Sequence, residues 1–206
     1  MNRIETIYSL IDINDRVVDV GCDQAKLGIL LSLRNQSSIA VDVSENVIQR
    51  AKQDIKTDLI DLRVSDGLSN VKDTEADTLV LAGMGTHTII DILENTNLRF
   101  KKIITISNNY HDILRRKMND LNYKVDSEII IKEKNKYYNL IIFIEGNKNY
   151  SESELLLGVN HKDKELYNEY LNMLLNKYKN IKKQSKDKNI NIDKMISLIN
   201  ERISYE

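Results

Sequence analysis

Acidic residues and glycines follow successive apolar runs in the N-terminal half of the chain. Residues 19–23 read Asp-Val-Gly-Cys-Asp at the end of one run, Asp42 ends the next run, and Asp66-Gly67 follows a third. In an open parallel sheet, a tight glycine turn lets the backbone approach a ligand, and an acid at the next strand end accepts hydrogen bonds from ribose hydroxyls. This spacing predicts a nucleoside site at the carboxyl edge of an α/β sheet.

Gly21 and the acids around it have separate roles in this prediction. A side chain at Gly21 would hold the backbone away from the ligand, and Asp19 lies in the strand just before it. Asp42 is predicted to bind the ribose, and Asp66 to meet the amino group of an adenine. The alternative is that each acid only caps a turn, as Asp does in many proteins.

A second glycine-containing segment, Ala82-Gly83-Met84-Gly85, follows the fourth apolar run. Because its glycines have no side chains, the backbone of this loop could lie close to a ligand. Met84 or the backbone would line a pocket for a sulfonium group. The chain contains no proline, so Gly, Asn and Asp must make its turns. The predicted cofactor-binding residues are therefore Asp19, Gly21, Asp42, Val43, Asp66, Gly67, Gly83, Met84 and Gly85.

The composition argues against several classes of protein. A single cysteine excludes an internal disulfide framework and a cysteine-rich zinc site, and His87, His111 and His161 show no metal-ligand spacing, so we predict no metal. The chain has no apolar run of 18 residues and no signal-peptide pattern, which predicts a cytoplasmic protein without membrane association. A length of 206 residues suffices for one core and a smaller appendage.

The two halves of the chain differ in charge, although the net charge is only −1. Residues 1–100 carry 10 Lys and Arg against 16 Asp and Glu, and residues 101–206 carry 20 against 15. A basic half is typical of a protein that touches a polyanionic partner. The alternative is a solvated helical face in a lysine-rich chain, since there is no arginine-rich stripe.

Apolar periodicity predicts strands and helices in alternation, followed by a hairpin. The predicted parallel strands are residues 17–20, 39–43, 59–64, 78–82 and 102–106, and the predicted helices are residues 2–12, 24–33, 44–56, 86–94 and 110–121. Two long apolar runs, 125–132 and 137–145, then predict an antiparallel hairpin. The predicted fold class is therefore α/β, with the Rossmann-like sheet of class I methyltransferases, parallel with a terminal antiparallel hairpin. A dinucleotide dehydrogenase more often continues with a sixth parallel strand.

From residue 151 onward the pattern predicts helix throughout. One stripe, with spacings of four, contains Leu166, Tyr170, Leu174 and Tyr178, flanked by Tyr167, Leu171 and Leu175, and a second contains Ile192, Ile196, Ile199 and Ile203. We interpret the stripes as the seam of a helical hairpin or coiled coil. The segment 177–188 between them holds six lysines and one acid, so its tip either contacts phosphates or is a solvated turn.

Three segments of the chain resemble the bacterial tRNA (adenine-22-N1)-methyltransferase family. They read Asp-Val-Gly-Cys-Asp-Gln-Ala-Lys-Leu at 19–27, Leu-Ala-Gly-Met-Gly-Thr at 81–86 and Ser-Asn-Asn at 107–109. The family motifs are Asp-Ile-Gly-Ser/Cys-Asp-His-Ala-Tyr-Leu-Pro, Gly-Met-Gly-Gly and Gln-Pro-Asn. The resemblance implies a methyltransferase domain over residues 1–147 that binds S-adenosyl-L-methionine (SAM), a helical coiled-coil domain over residues 148–206, and tRNA as the acceptor.

The chain departs from these motifs mainly on the acceptor side. The departures are Gln24 for His, Lys26 for Tyr, Gly28 for Pro, Thr86 for Gly, and Ser107-Asn108 for Gln-Pro. They leave open a second hypothesis, a non-catalytic nucleoside- and RNA-binding relative that has lost methyl transfer. A third hypothesis, a nicotinamide oxidoreductase, fits Gly21 and Asp42 but lacks the later glycines of Gly-x-Gly-x-x-Gly.

Asp23 and Asn109 are predicted to act on the acceptor base. Attack by adenine N1 creates a cation, so a carboxylate such as Asp23 would stabilise the charge or accept a proton from the amino group. Asn109 offers a donor and an acceptor to the base edge. The alternatives are that Asp23 caps the first helix of the sheet and Asn109 caps helix 110–121, while Tyr110 either stacks on the base or belongs to the core. We expect a monomer or weak dimer that methylates N1 of an adenine in tRNA, at position 22 if the resemblance holds.

Overall fold

The computed structural model describes residues 1–184 and 190–205. Its strands are β1 (Val17–Val20), β2 (Ser38–Asp42), β3 (Ile60–Val64), β4 (Thr78–Met84), β5 (Lys102–Ser107), β6 (Tyr123–Glu133) and β7 (Lys136–Glu145). They form one sheet in the order β3-β2-β1-β4-β5-β7-β6. Strands β1 to β5 pair in parallel, and β6 and β7 form an antiparallel hairpin beside β5. The predicted parallel sheet with a terminal hairpin is confirmed.

Helices cover both faces of this sheet and extend beyond it. They are α1 (Arg3–Ser9), α2 (Lys26–Ser32), α3 (Glu45–Asp54), α4 (Thr86–Glu94), α5 (His111–Asp120), α6 (Glu152–Leu157), α7 (Lys164–Gln184) and α8 (Ile190–Tyr205). None of the described helices combines the length and the apolar content that crossing a bilayer requires.

The central strands are buried on both faces, which explains their continuous apolar runs. On one face Val18 and Leu79 pack against α4 and α5. On the other face Val17 and Val80 pack against α1 and α2. This double burial holds the carboxyl ends of β1 and β4 side by side at one edge.

Strand β4 is longer than predicted. It continues to Met84 instead of ending at Ala82, because a bulge at Gly83, with φ +84°, lets Met84 resume pairing with Ser107 of β5. Gly83 and Met84 are therefore part of an irregular strand end rather than of a free loop.

Helix α2 starts later than predicted, at Lys26 instead of Gln24. Ala25 has φ 49° and ψ 37°, and Asp23 also has a positive φ, so the chain makes left-handed turns before it enters the helix. A left-handed conformation costs free energy in any residue other than glycine, and apolar periodicity does not reveal such residues.

The C-terminal part is not helical throughout, contrary to the prediction. Gly158, with φ +98°, ends α6, and residues 158–163 then run beside β6. Glu128 N donates to Asn160 O at 3.3 Å, and Lys162 N donates to Glu128 O at 3.0 Å. A short extended segment therefore connects the hairpin to the last two helices.

Helices α7 and α8 pack against each other and against the sheet hairpin, as the predicted helical hairpin requires. The buried residues of this cluster include those that flank the first stripe, together with residues of β6, α6 and α8: Tyr167, Leu171, Leu175, Ile130, Leu157 and Ile199. The first stripe itself, Leu166, Tyr170, Leu174 and Tyr178, is only partly buried. Within the predicted basic tip, Lys186 and Lys188 lie outside the described residues.

Candidate active site at the carboxyl edge of the sheet

A cavity of about 360 Å³ opens at the carboxyl ends of β1, β4 and β5. Four of the predicted site residues, Asp19, Gly21, Asp23 and Gly83, line it. The other lining residues are Arg3, Ile4, Ile7, Cys22, Gln24, Lys26, Leu27, Val80, Ala82 and Ile106. Open parallel sheets bind their ligands at this edge, so the cavity is the candidate site.

Helix α1 supplies a wall of the cavity that sequence analysis did not assign to any site. Arg3, Ile4 and Ile7 line the cavity, and Ile7 and Ile11 also belong to the core beneath it. The amphipathic stripe of this segment predicts a helix, but nothing in the stripe indicates which strand ends the helix covers. That placement depends on packing between distant parts of the chain.

The turn after β1 is fixed by two backbone hydrogen bonds and by Met84. Gly21 N and Cys22 N both donate to Val41 O, at 2.9 and 3.1 Å. Gly21 has φ +75°, and a Cβ built on it would lie 2.9 Å from Met84 Cε. A larger residue would therefore strain the backbone and displace Met84. Gly21 and Met84, predicted separately, are in contact.

Asp42 is held in a defined orientation by two backbone amides. Ser44 N donates to Oδ1 at 2.9 Å, and Asp23 N donates to Oδ2 at 3.4 Å. The side chain is half-buried, and each carboxylate oxygen still has a lone pair to offer. Asp42 can accept two further hydrogen bonds, as a ribose diol requires.

Asp19 is a buried acid at the floor of the cavity. Burial, and next the neighbouring Asp42 carboxylate, raise the pKa of Asp19 to about 7. A carboxylate in such surroundings is charged only at a free-energy cost, which a bound cation would reduce. The floor of the cavity therefore favours a positively charged ligand.

Asp19 should make the stability of the protein depend on pH. Its pKa is higher in the folded state than in the unfolded chain, so the stabilisation is complete below about pH 4 and is lost as the pH rises through about 7. We expect Asp19→Asn to remove this dependence. Between pH 5 and pH 8, ligand-free wild type should lose about 2 to 3 kcal/mol more unfolding free energy than the variant. Urea unfolding at the two pH values measures this, and parallel losses would contradict it.

Val43, Asp66 and Gly67 lie on the same edge, beyond the cavity and towards β3. Val43 is 69% exposed, which is unusual for a branched apolar side chain, and Asp66 is also exposed. Asp66 sits in a turn whose hydrogen bonds centre on Ser65, since Ser65 Oγ donates to Gly67 O at 2.9 Å and accepts from Asn70 N at 3.1 Å. Sequence analysis missed Ser65. An exposed apolar side chain and an exposed carboxylate therefore stand on this part of the edge.

Asn109 does not line the cavity, and it does not cap α5 either. The residue at the start of α5 is Tyr110, which makes no side-chain cap bond. Instead Asn109 Oδ1 accepts from Thr86 N at 3.4 Å, and Thr86 Oγ1 donates to Asn109 O. The alternative that Asn109 caps helix 110–121 was therefore wrong. Its side chain instead accepts a hydrogen bond from the first residue of α4.

The three histidines do not converge. His87 is exposed, while burial lowers the pKa of both His111 and His161. Among residues 1–184 and 190–205, no group of three or more His, Cys, Asp and Glu side chains is arranged to hold a metal ion.

A second groove, of about 630 Å³, runs between α2 and α3 and shares Asp23, Gln24 and Lys26 with the first cavity. Of the predicted site residues, only Asp23 lines it. It lacks the glycine turns and the buried acid at the strand ends. We therefore place the candidate site in the smaller cavity.

Comparison with known proteins identifies the family. Residues 1–141 match the family model described as a methyltransferase domain. The chain belongs to the methyltransferase domain family. The cavity described above is thus the ligand edge of a methyltransferase domain, and the match contradicts the nicotinamide oxidoreductase hypothesis.

Relatives of this methyltransferase domain bear out the predicted resemblance. A curated relative, tRNA (adenine(22)-N(1))-methyltransferase of Bacillus subtilis, is 29% identical over 155 residues. That alignment covers 71% of this chain and 65% of the relative, so the chain spans slightly less than two thirds of the relative's length.

Two solved structures match nearly the whole chain. M. capricolum TrmK in complex with S-adenosyl-homocysteine is 27% identical, with a TM-score of 0.85 and coverage of 99% of this chain and 97% of that one. Streptococcus pneumoniae Sp1610 in complex with S-adenosyl-L-methionine is 26% identical, with a TM-score of 0.84 and coverage of 98% of both chains. The similarity therefore includes the C-terminal helices as well as the sheet.

Proposed function

We propose that the protein is a SAM-dependent methyltransferase that acts on N1 of an adenine in tRNA, at position 22. The observation that carries the proposal is the cavity at the carboxyl edge, which the Gly21 turn and the buried Asp19 line, with the oriented Asp42 bonded to the backbone of the lining residue Asp23. Similar chains bind SAM and its product, and the curated relative methylates adenine 22 of tRNA.

The residues at this edge fit SAM in shape and in charge. Gly21 allows close approach of the backbone, and a Cβ on Gly83 would meet no atom within 4 Å, so space is open beside the strand end. Asp42 would hold the ribose hydroxyls, and Val43 and Asp66 would hold the adenine. Asp19 would balance part of the positive charge of the cofactor. When bound, SAM supplies an activated methyl group on a sulfonium centre.

Asp23 is the group of this chain that we assign to the acceptor base. It lines the cavity and is exposed, and its backbone N–H is bonded to Asp42. Its carboxylate would stabilise the positive charge that forms on adenine when N1 is alkylated, and would accept a proton from the amino group. N1 has a free lone pair only in an unpaired adenine, so the tRNA must expose the base at a cost of a few kcal/mol.

The charge distribution suits a polyanionic acceptor. Residues 101–206, which include the helical tail, have an excess of five positive charges, whereas the cofactor half is acidic. We infer that residues 1–147 bind SAM and that residues 148–206, which include α6, α7 and α8, help to hold the tRNA backbone. Such a substrate implies a cytoplasmic location.

Asp42→Ala is expected to weaken SAM binding at least tenfold, because two hydrogen bonds to a charged acceptor are lost. Isothermal titration calorimetry measures the affinity. Asp42→Asn serves as the control for the turn, since its amide oxygen can still accept from Ser44 N, and it should have an intermediate affinity. Equal affinities of wild type and the Ala variant would remove the ribose assignment.

The test of the proposed function is methyl transfer from tritiated SAM to unmodified tRNA, with mass-spectrometric mapping of the product. We expect label at N1 of one adenine, at position 22. The second hypothesis, a relative that binds SAM and RNA without turnover, has one observation in its favour: Gln24 and Lys26, two departures from the family motif, line the cavity itself. Binding of both ligands without label in the tRNA would decide for that hypothesis.

A further inference from the structure

Two exposed aromatic rings, to which the proposed function assigns no role, lie next to each other at the carboxyl edge of the sheet. Tyr110 is 55% exposed and His87 is exposed as well. Their ring centroids are 6.0 Å apart, with 55° between the planes. Neither ring belongs to a hydrophobic core cluster. An exposed aromatic pair of this kind offers a surface to a flat ligand.

The backbone at Tyr110 is held in a costly conformation. Tyr110 has φ 49° and ψ 48°, which is uncommon for a bulky residue. The preceding loop is bonded to the end of β4, since Asn108 N donates to Met84 O at 3.0 Å and Asn108 Nδ2 donates to Gly83 O at 3.3 Å. These bonds attach the Tyr110 loop to the wall of the candidate cavity, of which Gly83 is a part.

The spacing of the two rings is set by the residues that precede them. Thr86 precedes His87 and Asn109 precedes Tyr110, and these two neighbours bond to each other through Thr86 N and Thr86 Oγ1. Ser107 Oγ also donates to Asn109 O at 3.3 Å. Thr86 is fully buried, so no water competes for its hydroxyl group. A glycine at position 86, as in the family motif, would lack the bond from Oγ1.

We propose that His87 and Tyr110 form a stacking surface for a purine base of the RNA acceptor, and that Thr86 and Asn109 position it. The proposal rests on the proposed function and deepens it. An unpaired adenine loses stacking when it leaves the RNA, and an aromatic surface at the carboxyl edge of the sheet replaces part of that loss. The surface therefore raises the affinity for RNA with an exposed purine and leaves the binding of SAM unchanged.

The test compares Tyr110→Asn with Tyr110→Phe. Asn tolerates the left-handed conformation, so the variant removes the ring without new backbone strain. We expect Tyr110→Asn to raise the KM for tRNA about tenfold, the size of one lost base–aromatic contact, with kcat, SAM affinity and Tm little changed. Tyr110→Phe should behave like wild type, because stacking needs the ring and not the hydroxyl.

Two further variants separate stacking from general damage. Ile13→Asn makes the same kind of change at an exposed apolar residue on the opposite edge, before β1, and should have no effect. Thr86→Ser keeps the hydroxyl and should keep the wild-type KM, whereas Thr86→Val should raise it as Tyr110→Asn does.

The outcomes also separate this proposal from the proposed function. Methylation by wild type with an unchanged KM in Tyr110→Asn would overturn the stacking surface and leave the function standing. If wild type transfers no methyl group, the affinity for an RNA hairpin with one unpaired adenine, measured by fluorescence anisotropy, decides the matter. Weaker binding by Tyr110→Asn, with wild-type binding by Tyr110→Phe and Ile13→Asn, supports the stacking surface. Equal binding by wild type and the variant, or no binding by wild type, overturns it.

Discussion

Asp23→Asn is expected to lower kcat for methyl transfer to tRNA at least a hundredfold while changing SAM affinity by less than about threefold. Asp23 lines the cavity, and replacing its carboxylate by an amide removes the negative charge without changing the size of the side chain. Asp23 has φ 48°, a conformation that Asn tolerates as well as Asp. The backbone bond from residue 23 to Asp42 Oδ2 is therefore retained.

Steady-state rates with saturating SAM and tRNA measure kcat, and isothermal titration calorimetry measures the SAM affinity. Asp66→Asn is the matched control, because Asp66 is an exposed acid on the same edge that we assign to the cofactor. That variant should weaken SAM binding and leave kcat nearly unchanged. Full turnover by Asp23→Asn would remove its catalytic role, and a parallel loss of SAM affinity would assign it to the structure of the turn.

Arg115→Met is expected to lower the free energy of unfolding by about 3 to 5 kcal/mol. Arg115 and Glu128 are both almost completely buried, and they form a two-pronged ion pair with N–O distances of 2.8 and 2.6 Å. Arg115 Nη1 also donates to Leu155 O at 2.6 Å, and Val159 N donates to Glu128 Oε1 at 3.0 Å. The Arg115 guanidinium holds the pKa of Glu128 low despite burial, so removing Arg115 leaves a buried charge without its partner.

Urea unfolding followed by circular dichroism measures the loss. Lys117→Met is a control on the same helix, since Lys117 pairs with Glu94 at the surface, and it should change stability little. The double variant Arg115→Met with Glu128→Leu should recover much of the lost stability, because it removes both charges together. A loss below 1 kcal/mol in the single variant would contradict the assigned role of the pair.

The sheet and the family were predictable because their signals are local. The buried run Val17–Val20, the Gly21 turn and the acid at position 42 each depend on a few consecutive residues. Ser44 begins the predicted helix 44–56 and is a residue type that favours helix caps, and its side chain does accept from Val47 N. The hairpin followed from two long apolar runs.

What escaped prediction depends on contacts between distant segments. Asn109 caps a helix that begins 23 residues earlier, at Thr86, and no periodicity reports such a bond. The pairing of Arg115 with Glu128 is equally invisible, since each alone resembles a surface charge. The left-handed residues Asp23 and Ala25 delay the start of a helix that the apolar pattern places at residue 24.

The buried Arg115–Glu128 pair also fixes how the last two helices are attached to the sheet. Glu128 belongs to the sheet hairpin, yet its side chain and backbone together bond to Val159, Asn160 and Lys162 ahead of α7. The tail cannot tilt without breaking several of these bonds at once. Helices α7 and α8 are therefore held in one orientation against β6. Under the proposed function, an RNA contact on these helices would lie at a set distance from the cavity, and that distance would limit which nucleotides reach it.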